Sequence, residues 1–223
     1  MEFSIALNME RVDPSESMRS VIEYTTDRVR MAEEGGFEMA WAAEHHCLNL
    51  TIGPNPFNIL TQWAMCSRRI RLGTAVVVAP YWHPIRVASE AALTDHYSEG
   101  RLELGLGRGA FQYEFDRMGG GMPSEQGGAY LREMVPLVKR LWQTDCAHEG
   151  DFWQFPTATA VPRPAQSPHP PLWISARDPS SFAFAVRQNT GILSAPLFKP
   201  FDEVQNLARK LRTACQANPD FPR

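Results

Sequence analysis

Apolar positions along the chain switch between two spacings, and the switch repeats. Short runs that alternate or fill every place predict strands at 3–9, 38–43, 70–78, 102–107, 172–175 and 191–195. Between them, apolar residues three and four apart predict helices at 17–34, 56–67, 84–98, 126–143, 180–188 and 202–218. The best-punctuated unit is 83–109. Pro84 suits a first helical turn, Ile85, Ala88, Ala91, Ala92 and Tyr97 keep roughly one face, and Gly100 supplies a stop. Leu102, Leu104 and Leu106 then alternate as a strand interleaved with Gly105 and Gly107 and followed by Arg108 and Gly109. Six strand–helix repeats argue for parallel strands with helical crossovers. The run 75–79 lacks polar alternation, as strands covered on both faces do. One segment, 147–171, breaks the rhythm: a His148-Glu149-Gly150-Asp151 turn precedes Phe152-Trp153-Gln154-Phe155, which predicts a small hairpin, and 156–171 then reads as an ordered proline-rich strap.

Two architectures fit this alternation, a doubly wound sheet and a (β/α)8 barrel. A Rossmann sheet carries its glycine fingerprint after the first strand, and 8–17 contains no glycine. Polar and unusual residues instead follow successive strands: Glu44-His45-His46, then 80–83, Arg108, Arg177-Asp178 and Pro196. Barrel enzymes cluster their chemistry at the strand carboxyl ends in this way. The expected fold is therefore α/β, of the (β/α)8 TIM-barrel type, with 1–223 covering about six βα units of an incomplete barrel. The last two units would be missing, leaving open edges beside the first and sixth strands.

Composition narrows the partners. With 223 residues, 43% hydrophobic and 21% charged, the chain can bury one substantial core. A net charge of -3 and a pI near 6.1 give no basic field for non-specific nucleic-acid binding. No apolar run approaches the ~20 residues of a membrane span. Neither nucleic acid nor membrane is an expected partner, and a cytoplasmic location is. Cys47, Cys66, Cys146 and Cys215 lack metal-ligand spacing, so they read as reduced thiols and no metal is expected.

Three places could carry chemistry. Arg108 offers a planar fork to an anion, against the plainer reading of a glycine turn. Ser180, as an N-cap hydroxyl beside Arg177, would put an anion at a helix start, against a solvated loop and a simple cap. His45 has an imidazole that moves protons near neutrality, against a buried structural histidine. Glu44 could orient an imidazole or satisfy backbone donors, and both stay open. His46 is a weaker candidate, His83 reads as a turn residue, Asp95 and Arg101 as local structure, and Trp41, Trp63, Trp142 and Trp153 as core.

Four stretches then resemble a known family: GGFEMAWAAEHH at 35–46, GPNPF at 53–57, RIRLGTAVVVAPYWHPIRVASEAALTDHYSEGRLELGLGRG at 69–109, and PPLWISARDPSS at 170–181. Their order and spacing resemble the bacterial luciferase-like, flavin-dependent monooxygenases. The resemblance implies a barrel that binds reduced FMN, or in one branch F420, commonly as a homodimer. It implies that Arg108 and the loop of Ala176, Arg177 and Ser180 grip the flavin phosphate. Ala75 and Val76 would lie against the flavin ring with an unusual backbone, often a non-prolyl cis peptide. His45 would sit beside the reactive face, with Glu44 next to it. The implied activity is oxidation of a small organic substrate by O2 and FMNH2, the latter supplied by a separate reductase. An F420-dependent oxidoreductase and a non-catalytic flavin-binding or partner subunit are the alternatives. The chain departs from the family at Gly127-Gly128, where an arginine often reaches the phosphate, and at Ala176 and Arg177, which replace a loop glutamate and serine.

Overall fold

The computed structural model describes residues 2–196 and 199–220; Met1 and 221–223, which the 1–223 reading takes in, lie outside the described residues. Strands β1 (Ser4–Leu7), β2 (Met39–Ala42), β3 (Arg71–Thr74), β4 (Val77–Val78), β5 (Leu102–Gly107), β8 (Leu172–Ser175) and β9 (Gly191–Leu193) form one sheet. Its path is β1-β2-β3-β5-β8-β9, with β4 joined to β5, and every pairing is parallel. The sheet curls into a half-barrel. A separate antiparallel hairpin, β6 (Cys146–Glu149) and β7 (Gln154–Ala158), occupies the break in the rhythm.

The crossovers are α1 (Met18–Glu34), α2 (Pro56–Cys66), α3 (Pro84–Tyr97), α4 (Gln112–Met118), α5 (Gly127–Gln143), α6 (Pro179–Arg187) and α7 (Asp202–Gln216). Local chemistry starts several of them. Ser17 accepts from the Ser20 N–H, Asn55 accepts from the Phe57 and Asn58 N–H groups, and His83 caps α3 through the Ile85 N–H. α3 ends where Gly100, at φ 78°, returns its N–H to the Asp95 carbonyl. Tyr97, the last residue of α3, departs from the expected inner face and is half exposed.

Leu72, Leu102, Leu104, Leu106 and Ile174 have no exposed surface. Burying each such side chain contributes roughly 1.5–3 kcal/mol. Inside the curl, Trp41 and Trp173 meet edge to face at 5.3 Å. They lie over Gly73 and Gly191, where a Cβ would overlap the indole rings.

Two expectations need correction. The 70–78 strand is two strands, β3 and β4, separated by a cis peptide bond between Ala75 and Val76. α4 was not expected at all, because seven residues with one fully buried apolar side chain, Phe115, give no readable helical period.

Candidate active site

Parallel pairing puts the strand carboxyl ends on one side. Ala42 lies opposite Thr74, Val78 opposite Gly107, Leu106 opposite Ile174 and Ser175 opposite Leu193. The segments 43–46, 75–76, 108–109 and 176–181 therefore leave the same end of the sheet. At Gly105 a Cβ would overlap the Thr74 carbonyl oxygen, and at Gly107 it would overlap the Val76 side chain. Glycine at these places lets β5 lie against the turned backbone at Ala75 and Val76. Both of those residues are half-buried, and Ala176 is buried.

Two buried carboxylates organise the histidines. Glu44, with no exposed side-chain surface, takes His46 Nε2 at 2.6 Å, the Val78 N–H at 2.8 Å and the Trp82 indole N–H at 2.9 Å. It therefore orients an imidazole and satisfies a backbone donor, and the imidazole is that of His46. The hydrogen bond to Glu44 raises the His46 pKa above its ordinary value, against burial, with the charges of Glu44 and Glu114 adding to it. His45 pairs instead with Glu114 of α4, at 3.3 Å from Nδ1. Glu114 Oε1 also accepts the His46 N–H at 2.8 Å and lies 3.4 Å from the Tyr113 hydroxyl. Burial pushes the Glu114 carboxyl up, but the His45 ring and the His46 N–H, with the charges of both histidines, hold it below the ordinary carboxylate value. Phe111 stands 5.5 Å from the His45 ring. The Tyr81 hydroxyl is buried with no hydrogen-bond partner among the described residues, and burial raises its pKa.

The basic end of the site lies across β5 and β8. Arg108 is exposed directly after β5, and Arg177 is half-buried two residues after β8. Ser180 is not the N-cap. Asp178 is, with a reciprocal capping box to Ser181, because a carboxylate one residue before Pro179 reaches the Ser181 N–H at 3.0 Å. Ser180 is the second helical residue; its hydroxyl donates to Asp178 Oδ1 at 2.7 Å and accepts from Arg132 at 2.9 Å. Arg132, one turn further along α5 than Gly127-Gly128, is thus the arginine of that helix beside Ser180. Gly127 itself packs the helix start on the Arg108 carbonyl, where a Cβ would overlap. Neither Arg132 nor Glu114 stood out in the sequence, and nothing local marks either one.

Burial raises the Asp178 carboxyl, but hydrogen bonds from Ser180 and Ser181 bring it down to about 2. Its folded value is depressed, so its stabilisation is complete above the unfolded value near 3.9 and disappears as pH falls through about 2. Replacing Asp178 with alanine is expected to cost about 0.5–2 kcal/mol in urea melts at pH 6, with the gap to the unaltered protein closing near pH 2.

A family model described as luciferase-like monooxygenase matches residues 1–221. The chain belongs to this family. Within it, the oxygenase component of a flavin-dependent trigonelline monooxygenase from Acinetobacter baylyi is 43% identical over 223 residues, all of this chain and 62% of the relative. The monooxygenase RslO1 from Streptomyces bottropensis has a solved structure with a TM-score of 0.88 at 32% identity, over 97% of this chain and 66% of that one. The oxygenating constituent of 3,6-diketocamphane monooxygenase from Pseudomonas putida, solved with FMN, shares the fold at a TM-score of 0.85 and 19% identity, over 100% of this chain and 64% of that one. The luciferase-like chain thus spans about three-fifths of the length of the trigonelline monooxygenase component.

Proposed function

We propose that this chain is the flavin-binding, oxygenase part of a two-component monooxygenase that takes reduced FMN from a separate reductase and oxidises a small organic molecule with O2. The observation that carries the reading is the meeting of a basic, hydroxyl-bearing end and an apolar strand end with a carboxylate-bound histidine at one end of the sheet. The donor set fits FMN. Arg108, Arg132, Arg177 and Ser180 at the start of α6 suit a phosphate dianion, through charge-assisted bonds and helix N–H groups. Ala75, Val76 and Ala176 give the ring an apolar rest without competing donors.

Reduced flavin, when bound, supplies the electrons that activate O2. The protein's share is binding, orientation and proton control. The arginines and Ser180 fix the phosphate, which sets where the ring lies along the strand ends. Phe111, beside His45, helps keep water from that end. His45, with a quarter of its side chain exposed, can hold or take up a proton at the opening. Glu44 acts one step back, through His46 and Trp82. A homodimer in the cytoplasm is part of the same proposal.

Trigonelline is the first substrate to test, since the relative named for it is 43% identical across this chain. The protein is titrated with FMN and then assayed with an FMN reductase, NADH, O2 and trigonelline, in parallel with reduced F420 under argon. Oxygen-dependent product with FMNH2 is expected. Turnover only with reduced F420, or FMN binding with no product from any substrate panel, would replace this reading with an F420 oxidoreductase or a non-catalytic subunit.

A further inference from the structure

We propose that Glu114 is a positioning residue that locks neutral His45 as the Nδ1–H tautomer and leaves the Nε2 lone pair as the acceptor offered to the site. The use of that lone pair in turnover rests on the monooxygenase reading; the tautomer itself does not.

The chemistry follows from the partners. Glu114 has 2% of its side-chain surface exposed, and three donors converge on its Oε1: His45 Nδ1, the His46 N–H and the Tyr113 hydroxyl. An ionised carboxylate only accepts hydrogen bonds, so Nδ1 must carry the proton it shares with Glu114. A neutral imidazole in water places its proton mainly on Nε2, and the carboxylate reverses that choice. His45 Nε2 has no hydrogen-bond partner among the described residues, while the His45 N–H is already given to the Gly53 carbonyl at 3.0 Å. The neighbouring ring is set the opposite way. His46 Nε2 faces Glu44 at 2.6 Å, so His46 in its neutral form is an Nε2–H tautomer whose proton is given to the buried carboxylate. Adjacent imidazoles are thus assigned different work: His46 braces the buried wall with Trp82 and Val78, and His45 presents a lone pair.

The lever is rigid. Phe115, next to Glu114, is fully buried, 5.2 Å from the Tyr81 ring and against Gly109. This packing anchors α4, and the first turn of α4 carries the carboxylate. The groups around His45 from the packed elements are Glu114, Tyr113 and Phe111 from the α4 region, His46, Glu44 and Cys47 from its own loop, and Tyr81 behind His46. A carboxylate that fixes an imidazole tautomer can be worth several powers of ten in rate where the imidazole moves the proton.

The test is ¹⁵N-histidine NMR of the unliganded protein at pH 7.5–8, with His45 assigned by its absence in His45→Gln. A protonated Nδ1 and bare Nε2 on His45 are expected. Glu114→Leu should move the proton to Nε2, and Glu114→Gln, which keeps an acceptor oxygen, should largely restore Nδ1–H. In the flavin assay Glu114→Leu should lower kcat by about 10²-fold, with FMN affinity within a few-fold and partial recovery in Glu114→Gln. A protonated Nε2 in the unaltered protein overturns the proposal, and so does unchanged Nδ1–H in folded Glu114→Leu. Should the leucine variant not fold, the spectrum of the unaltered protein decides. Loss of all turnover in the unaltered protein would remove the monooxygenase reading and leave the tautomer result standing.

Discussion

Replacing His45 with alanine is expected to leave FMN affinity within a few-fold and to cut product formation by roughly 10²–10⁴. The separation of effects comes from the layout. The phosphate-binding candidates sit after β5 and β8 and on α5, whereas His45 follows β2. Removing the imidazole leaves Glu114 with the His46 N–H and the Tyr113 hydroxyl, so the buried carboxylate keeps partners. The loss should therefore fall on proton transfer and not on the fold. Fluorescence titration with FMN and quantified product in the coupled assay measure the two halves. Turnover equal to the unaltered protein would remove His45 from the reaction, and a matching loss of FMN binding would make it a structural residue.

Glu44→Ala is expected to cost about 3–5 kcal/mol of stability, the usual penalty for breaking a buried charged pair. His46, Trp82 and the Val78 N–H would all lose their acceptor inside the wall beside the site. For a domain of this size the melting temperature should fall by on the order of 10 °C or more. The pH dependence has a defined sign. The folded pKa of His46 is raised, so the pair's stabilisation is complete below the unfolded value near 6.5 and is lost as pH rises through the higher folded value. Stability of the unaltered protein should decline across that window, and Glu44→Ala should flatten the decline. Denaturant melts at several pH values between 6 and 9 read both quantities; equal midpoints for the two proteins would show that the Glu44 network is dispensable.

The amino-acid order by itself determined the six strand–helix repeats, their limits to within about two residues outside the divided 70–78 run, the helix start at Pro84 and the stop at Gly100, and the carboxyl-end placing of His45, Ala75, Val76, Arg108 and Arg177. These are local properties: period, cap and stop are written within a few residues of where they act. Even the cis bond between Ala75 and Val76 was expected, on the strength of resemblance. What only the tertiary structure decided is who faces whom. Glu114 lies 69 residues from its His45 partner and Arg132 lies 48 from Ser180, distances at which no periodicity speaks. The split of 70–78 and the short α4 likewise show only in the assembled sheet end, whereas the choice of Asp178 over Ser180 as cap is settled locally, within 178–181. A hydrogen bond between remote side chains depends on the curl of the strands beneath them, and that curl exists only once the strands have packed.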